Sequence, residues 1–279
     1  MKIRLFAMML AFLVLLTACG TVPADVEEGA SAIVFKRTLG TKLELAVFAP
    51  EAPYEPTGTA MLVFHGGGWV TGSKEQLPGE FPQLFDALHA QGVTIVTADY
   101  RLATDGRTWS DCLTDCVSAY NYLCRNAKKL GLDADRIGVM GYSAGAHLAM
   151  MAAVTEAGIP LCVSLSGPTV MSFSPNGEYS SDALVYYRDL AFSKQDFTAG
   201  SPKAKLGRRC DTAFLLVNGT ADSVIPYPHA EAFCEEAASL QVDAKLMLMD
   251  DLTHFYASYP GIDALSEEIA LWVSEKFEK

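Results

Sequence analysis

The chain is short of positive charge. Lys and Arg together number 21 against 33 Asp and Glu, a formal net charge of −12. The basic residues form no cluster, and nucleic-acid recognition needs a basic patch or stripe, so that class of partner is excluded. The acidity reads as plain solubility. No C-x-x-C occurs among the seven cysteines, which leaves zinc-ribbon and thioredoxin-like readings without support. No pair of the five histidines has metal-ligand spacing, and no cofactor is expected. There is no internal repeat and no low-complexity tract. The one long apolar run, Leu5 to Leu16, has twelve residues, too few for a mature membrane span. What remains is a chain of 279 residues, half of them hydrophobic, which suits one large globular domain with a sizeable core.

The apolar run follows Lys2 and Arg4 and leads into Leu16-Thr17-Ala18-Cys19. A basic start, an apolar stretch and small residues make a signal peptide. The last four residues resemble a bacterial lipobox, whose cysteine receives the lipid. Residues 1–18 are therefore expected to be a lipoprotein signal peptide, Cys19 the lipidation site, and 19–31 a small, polar, acidic tether. The protein is then exported and anchored to the cell envelope, touching the membrane only through that lipid. An ordinary signal peptide with a chance cysteine would make it secreted instead. The remaining cysteines, 112, 116, 124, 162, 210 and 234, read mostly as free, buried thiols.

Over 32–279, strand and helix signals alternate. Strands are predicted at 32–36, 42–48, 60–64, 93–98, 137–140, 161–165, 213–217 and 244–249, the first two forming a hairpin through Gly40. Helices are predicted around Phe81, Leu84, Phe85 and Leu88, then over 109–130, 144–156, 228–240 and 262–277. This alternation argues for an α/β fold with an eight-stranded, mostly parallel sheet covered by helices on both faces. Residues 168–207 break the rhythm. Rich in Ser, Pro, Gly and Tyr and without a clear period, they read as a lid inserted over a site.

Ile137 to Gly145 runs from an apolar strand through Gly141-Tyr142-Ser143-Ala144-Gly145 into a helix. A G-x-S-x-G turn in that setting is a nucleophile elbow. Gly141 and Gly145 keep the turn free of side chains, and Ser143 stands exposed above the sheet. A serine hydroxyl needs a base, and the base an orienting acid. In this architecture the acid and then the histidine follow the serine along the chain. His254, just after the last predicted strand, is the candidate base. His229 opens a helix and reads as a solvated or capping residue. Asp222, in the loop after strand 213–217, is the candidate acid, with Asp250 and Asp251 as rivals. The amide of Ala144, next to the nucleophile, is the first candidate donor to an oxyanion. His147 reads as buried and hydrogen-bonded, and His89 as a surface residue.

The segments HGGGW (65–69), D-Y-R (99–101), G-Y-S-A-G, N-G-T-A-D (218–222) and T-H-F (253–255) together resemble the α/β-hydrolase serine esterases. The resemblance covers roughly 32–277 and is closest to the bacterial acetyl and feruloyl carbohydrate esterases. Hormone-sensitive-lipase-like esterases share the HGGG and elbow motifs but usually carry a longer helical N-terminal cap. The resemblance implies that Gly67 and Gly68 donate backbone N–H groups to the oxyanion, while His65 and Gly66 shape their loop. Trp69 then suits either the site's mouth or the core. It also implies hydrolysis of small acyl esters, acetyl or similar, plausibly on saccharides. Tyr179, Tyr186, Tyr187 and Phe192 in the lid suit either stacking on a sugar or feruloyl ring or the lid's own core. A serine peptidase or amidase on the same fold, or a surface binding protein that has lost catalysis, are the competing readings.

Overall fold

A computed structural model describes residues 32–38, 40–156 and 158–278. The expected signal peptide, the lipidation site Cys19 and the tether lie outside the described residues. Eight strands form one sheet: β1 (Ile33–Thr38), β2 (Thr41–Phe48), β3 (Ala60–Phe64), β4 (Thr94–Ala98), β5 (Ile137–Tyr142), β6 (Leu161–Leu165), β7 (Ala213–Gly219) and β8 (Ala244–Met249). Their spatial order is β1-β2-β4-β3-β5-β6-β7-β8. The β1–β2 hairpin joins antiparallel through β2 to β4, and every pairing from β4 to β8 is parallel. Among the described residues, the six helices of nine residues or more are α1 (Pro82–Ala90), α2 (Trp109–Asn126), α3 (Ala144–Thr155), α4 (Asp182–Ala191), α5 (Pro228–Leu240) and α6 (Ile262–Phe277).

The strand pleat sorts side chains between two cores. Leu62 and Phe64 of β3, Val139 of β5 and Leu216 of β7 face one side, where α2, α3 and α5 cover them. Met61, Val63, Met140 and Val217 face the other, covered by α1 and α6. Strands buried on both faces carry apolar runs, which is why AMLVF, and LCVSL with its single serine, read so plainly in sequence.

The segment 168–207 differs from its reading as irregular chain. It contains α4, ten residues long. The helix's inner face carries Leu184, Tyr187, Arg188 and Ala191. Arg188 breaks the apolar stripe, and so the period is lost in sequence. Its guanidinium lies 4.3 Å from the centre of the Phe173 ring and 4.1 Å from that of Phe197. It donates to the carbonyls of Met171 and Phe173 and pairs with Asp189. A buried arginine held this way satisfies its donors against backbone and its face against aromatic rings. Of the lid aromatics, Phe192 belongs to the core, stacked on Trp109 at 5.2 Å, while Tyr186 is 61 % exposed.

Asp115 of α2 is fully buried and serves as a central tie. It accepts from Lys36 Nζ of β1 (2.6 Å), from Arg101 Nε (2.7 Å) and Nη2 (3.0 Å), and from the Arg101 backbone N–H (2.9 Å). A buried carboxylate persists only when paired and fully hydrogen-bonded, and this one is.

Candidate active site

Strand order reverses where β3 lies between β4 and β5, and open α/β sheets bind ligands at the carboxyl ends of the strands around such a point. Phe64, the last residue of β3, pairs with Gly141 of β5. The HGGG loop and Ser143 thus leave adjacent strands side by side.

Ser143 has φ 55° and ψ −118°, a conformation that ordinary L-residues avoid. The reason is crowding. A Cβ on Gly141 would lie 2.3 Å from the Gly145 carbonyl carbon, and one on Gly145 would lie 2.1 Å from the Phe64 carbonyl oxygen. Only glycine on both sides lets α3 start against β3, and the price is strain held at the serine between them. The Ser143 amide is tied to the Leu165 carbonyl (2.8 Å), which fixes the turn.

The structure brings Ser143, His254 and Asp222 into one line. Ser143 Oγ lies 3.1 Å from His254 Nε2, and His254 Nδ1 lies 2.9 Å from Asp222 Oδ2. The other carboxylate oxygen of Asp222 accepts from the amides of Val224 (2.9 Å) and Ile225 (2.8 Å). Burial alone would push the Asp222 carboxyl up. Hydrogen bonds and charge from His254, the Ile225 amide and Ser166 outweigh it and hold the carboxyl below its ordinary value. Asp222 is thus an ionised acceptor, which puts a proton on His254 Nδ1 and leaves Nε2 free to accept from the serine. The rivals Asp250 and Asp251 are exposed, and neither bonds His254.

Gly67 (φ 105°) and Gly68 (φ 59°) both occupy the left-handed region that favours glycine. The Gly67 carbonyl is taken by the amides of Val70 and Thr71, which curls the loop. Among the described residues, the N–H groups of Gly67, Gly68 and Ala144 have no protein acceptor. The Ala144 amide also opens a twelve-residue helix, whose dipole adds positive potential there.

His65 and the D-Y-R segment brace this loop from below. His65 Nδ1 meets the Gly66 carbonyl at 2.8 Å, and its ring stacks on Tyr100 at 4.1 Å. The Tyr100 hydroxyl donates to the His65 carbonyl (2.8 Å), Asp99 holds Lys74 (3.0 Å), and Arg101 meets Asp115. Trp69 is core. Its indole N–H donates to His147 Nδ1 (3.2 Å), and His147 Nε2 donates to the Gly200 carbonyl (2.7 Å).

Two readings change. His229 is neither solvated nor a simple cap. It is fully buried, accepting at Nδ1 from the amides of Thr169 and Val170 (3.2 Å each) and donating from Nε2 to the Tyr179 carbonyl (2.9 Å). His89 is half-buried, its Nε2 3.2 Å from the Phe48 carbonyl. Nothing in the sequence marks Tyr142, the variable residue of the elbow, as supporting the base: its hydroxyl donates to the His254 carbonyl (2.8 Å), with the two rings 5.0 Å apart. Ser166 was likewise invisible in sequence. It is buried at φ 51° between Tyr256 and Asp222. The six described cysteines are free thiols, Cys112, Cys116 and Cys162 fully buried. A cavity of about 360 Å³ lined by Tyr54, Thr57, Gly92 and Arg136 opens at the amino ends of β3 and β4, the opposite end of the sheet from Ser143.

Burial pushes His65, His147 and His229 down to about 4. Each stays neutral in the fold, while an exposed histidine in the unfolded chain protonates near 6.5. Between those values the unfolded state binds more protons, so stability is complete above pH 6.5 and is lost as pH falls toward 4. Glu80, pushed up to about 7 by burial, works the other way and offsets one of the three. The expected net slope is roughly 3 kcal/mol per pH unit near pH 5.5. Urea unfolding at pH 7, 6 and 5 reads it; an unchanged midpoint would mean that these histidines are not buried neutral.

The BD-FAE family model matches residues 45–161, the stretch from β2 through the elbow to β6. A probable isoprenylcysteine alpha-carbonyl methylesterase of Oryza sativa subsp. japonica is 28 % identical over 233 residues, covering 75 % of this chain and 54 % of that protein. Esterase LipC of Mycobacterium tuberculosis is 28 % identical over 204 residues, covering 66 % of this chain and 49 % of its own. The chain thus spans about half the length of these relatives. Esterase 2 of Thermogutta terrifontis, solved phosphonylated by sarin, superposes with a TM-score of 0.73 at 22 % identity, over 92 % of this chain and 96 % of that one. The fold is therefore the α/β-hydrolase fold of that solved esterase, and the two relatives named above are esterases by name.

Proposed function

We propose that this α/β-hydrolase is a serine carboxylesterase that cleaves small acyl esters, acetyl or similar, through an acyl-enzyme. The observation that carries the reading is the hydrogen-bonded line Ser143–His254–Asp222 beside three unpaired N–H groups. In the first step Ser143 Oγ attacks the ester carbonyl carbon while its proton passes to His254 Nε2. Asp222 Oδ2 steadies the imidazolium through Nδ1–H. The negative charge on the carbonyl oxygen falls to the N–H groups of Gly67, Gly68 and Ala144, which were oriented before the reaction began. Collapse expels the alcohol, protonated by His254. A water then repeats the cycle on the acyl-serine, with His254 as base.

The alcohol side of the site is open and aromatic. Phe255, next to the base, is 54 % exposed with its ring 6.0 Å from that of His254, and the Tyr142 ring lies 5.0 Å from the same imidazole. Such rings suit a planar or sugar alcohol, in keeping with the resemblance to carbohydrate esterases. An exported protein anchored through Cys19 would meet acylated saccharides outside the cell.

Turnover of p-nitrophenyl acetate beside alanine p-nitroanilide tests the reaction class. Ester hydrolysis is expected to exceed anilide hydrolysis by about 10³-fold or more, since an amide's leaving group is far poorer and the site shows nothing dedicated to protonating it early. A fluorophosphonate probe should label Ser143, as an organophosphonate labels the Thermogutta enzyme. Comparable anilide turnover would favour a peptidase, and no labelling would favour a binding protein.

A further inference from the structure

We propose that Tyr187 of α4 walls the acyl side of the site and restricts the enzyme to short acyl chains; this rests on the esterase reading above. The observation is contact with the oxyanion loop. A Cβ built on Gly68 would lie 2.3 Å from Tyr187 Cδ1, 2.5 Å from Cγ and 2.9 Å from Cε1. The Tyr187 ring therefore lies flush against the α-carbon of a residue whose N–H faces the reacting carbonyl. A group that leaves that carbonyl on the Gly68 side passes within a few ångströms of the ring.

The two substituents of the carbonyl go different ways. His254 must reach the leaving oxygen, so the alcohol departs on the side of His254, whose neighbouring rings are Tyr142 and Phe255. The ring beside Gly68 is that of Tyr187, which assigns it to the acyl group. Glycine at 68 is then required twice, once by φ 59° and once by the space the ring occupies.

The wall is fixed rather than hinged. Ser181 caps α4, accepting from the Leu184 amide (3.0 Å) and donating to the Val224 carbonyl (2.6 Å). Arg188, the next residue after Tyr187, is clamped between Phe173 and Phe197. At the helix's far end Phe192 packs edge-on against Trp69 at 5.1 Å, a second contact with the oxyanion loop. A side chain on a helix held at both ends keeps its place when a longer chain presses on it.

p-Nitrophenyl acetate, butyrate and hexanoate share one leaving group, so their kcat/KM values report the acyl pocket alone. The wild type is expected to lose about tenfold or more from acetate to hexanoate, and Tyr187→Ala to raise the hexanoate-to-acetate ratio by about tenfold or more. Tyr187→Phe should leave the ratio where it is, because the ring and not the hydroxyl is the wall. Acetates of p-nitrophenol, 4-methylumbelliferone and α-naphthol should keep their relative rates in Tyr187→Ala. If the alanine variant does not fold, Tyr187→Leu carries the same expectation. A flat wild-type profile overturns the proposal, as does an unchanged ratio in a folded variant, or a shift among the alcohols instead of the acyl groups. Failure of the wild type to hydrolyse any ester in a Ser143-dependent way would be a different result, sinking the esterase reading itself.

Discussion

Ser143→Ala is expected to lower kcat on p-nitrophenyl acetate by about 10⁵-fold and to leave KM within a few-fold. The substitution removes one oxygen atom, the only one in the site that a base stands ready to deprotonate. What survives is substrate binding and the oxyanion donors, which together retain a modest advantage over water. The fold should not notice. Among the described residues Ser143 Oγ bonds only His254 Nε2, and the strained backbone at φ 55° is fixed by Gly141, Gly145 and the Leu165 carbonyl, none of which changes. Alanine at that position carries the same strain as serine, so the melting temperature should shift little and the circular dichroism spectrum not at all. Loss of fluorophosphonate labelling in the same variant ties the rate to covalent chemistry. Retention of more than about a hundredth of the wild-type rate would place the nucleophile elsewhere.

Much of this site lies open in the sequence, for a physical reason. The elbow is local: strand, tight turn and helix lie within ten residues, and the steric rule that puts glycine on both sides of the serine leaves its mark there. Asp222 and His254 are distant in sequence, but each follows a parallel strand, and parallel strands in one sheet deliver their loops to one edge. The centre of the sheet is legible because its strands β3, β4 and β6 are buried on both faces. What escaped notice depends on contacts that no local pattern records. Asp115 reads as one more acid on a polar helix, since its partners Lys36 and Arg101 come from β1 and from the loop after β4. His229 would look the same whether solvated or buried, because its cover is the segment 169–179 folding over it. The helix α4 hides behind Arg188, a charge in the middle of its inner face. Tyr142 sits inside the most recognisable motif in the chain, and nothing there shows that its hydroxyl reaches across to the histidine's carbonyl.

Asp222→Asn is the sharper test of the triad, because it changes a proton's position and little else. Oδ1 of Asp222 accepts two backbone amides, Val224 and Ile225, at 2.9 and 2.8 Å. An asparagine keeps both bonds only if its carbonyl oxygen stays there, which turns its NH₂ toward His254 Nδ1. Two donors cannot face one another, so Nδ1 must give up its proton and accept. The neutral ring then carries its proton on Nε2, the atom that must take the one from Ser143. The opposite amide orientation preserves the histidine tautomer but leaves the Val224 and Ile225 amides facing a donor, at a cost of about 1–3 kcal/mol for each unsatisfied buried group. The first arrangement wins on that count. The expected result is a fall in kcat of about 10⁴-fold with nearly unchanged unfolding by urea, since the buried hydrogen bonds survive and only their polarity toward His254 is reversed. Fluorophosphonate labelling should slow in parallel, because it needs the same proton transfer. Asp250→Asn and Asp251→Asn serve as controls: both side chains are exposed and neither touches His254, so each should retain near-wild-type rates. If either control loses more activity than Asp222→Asn, the carboxylate that orients His254 during turnover is not the one that holds it in the resting fold.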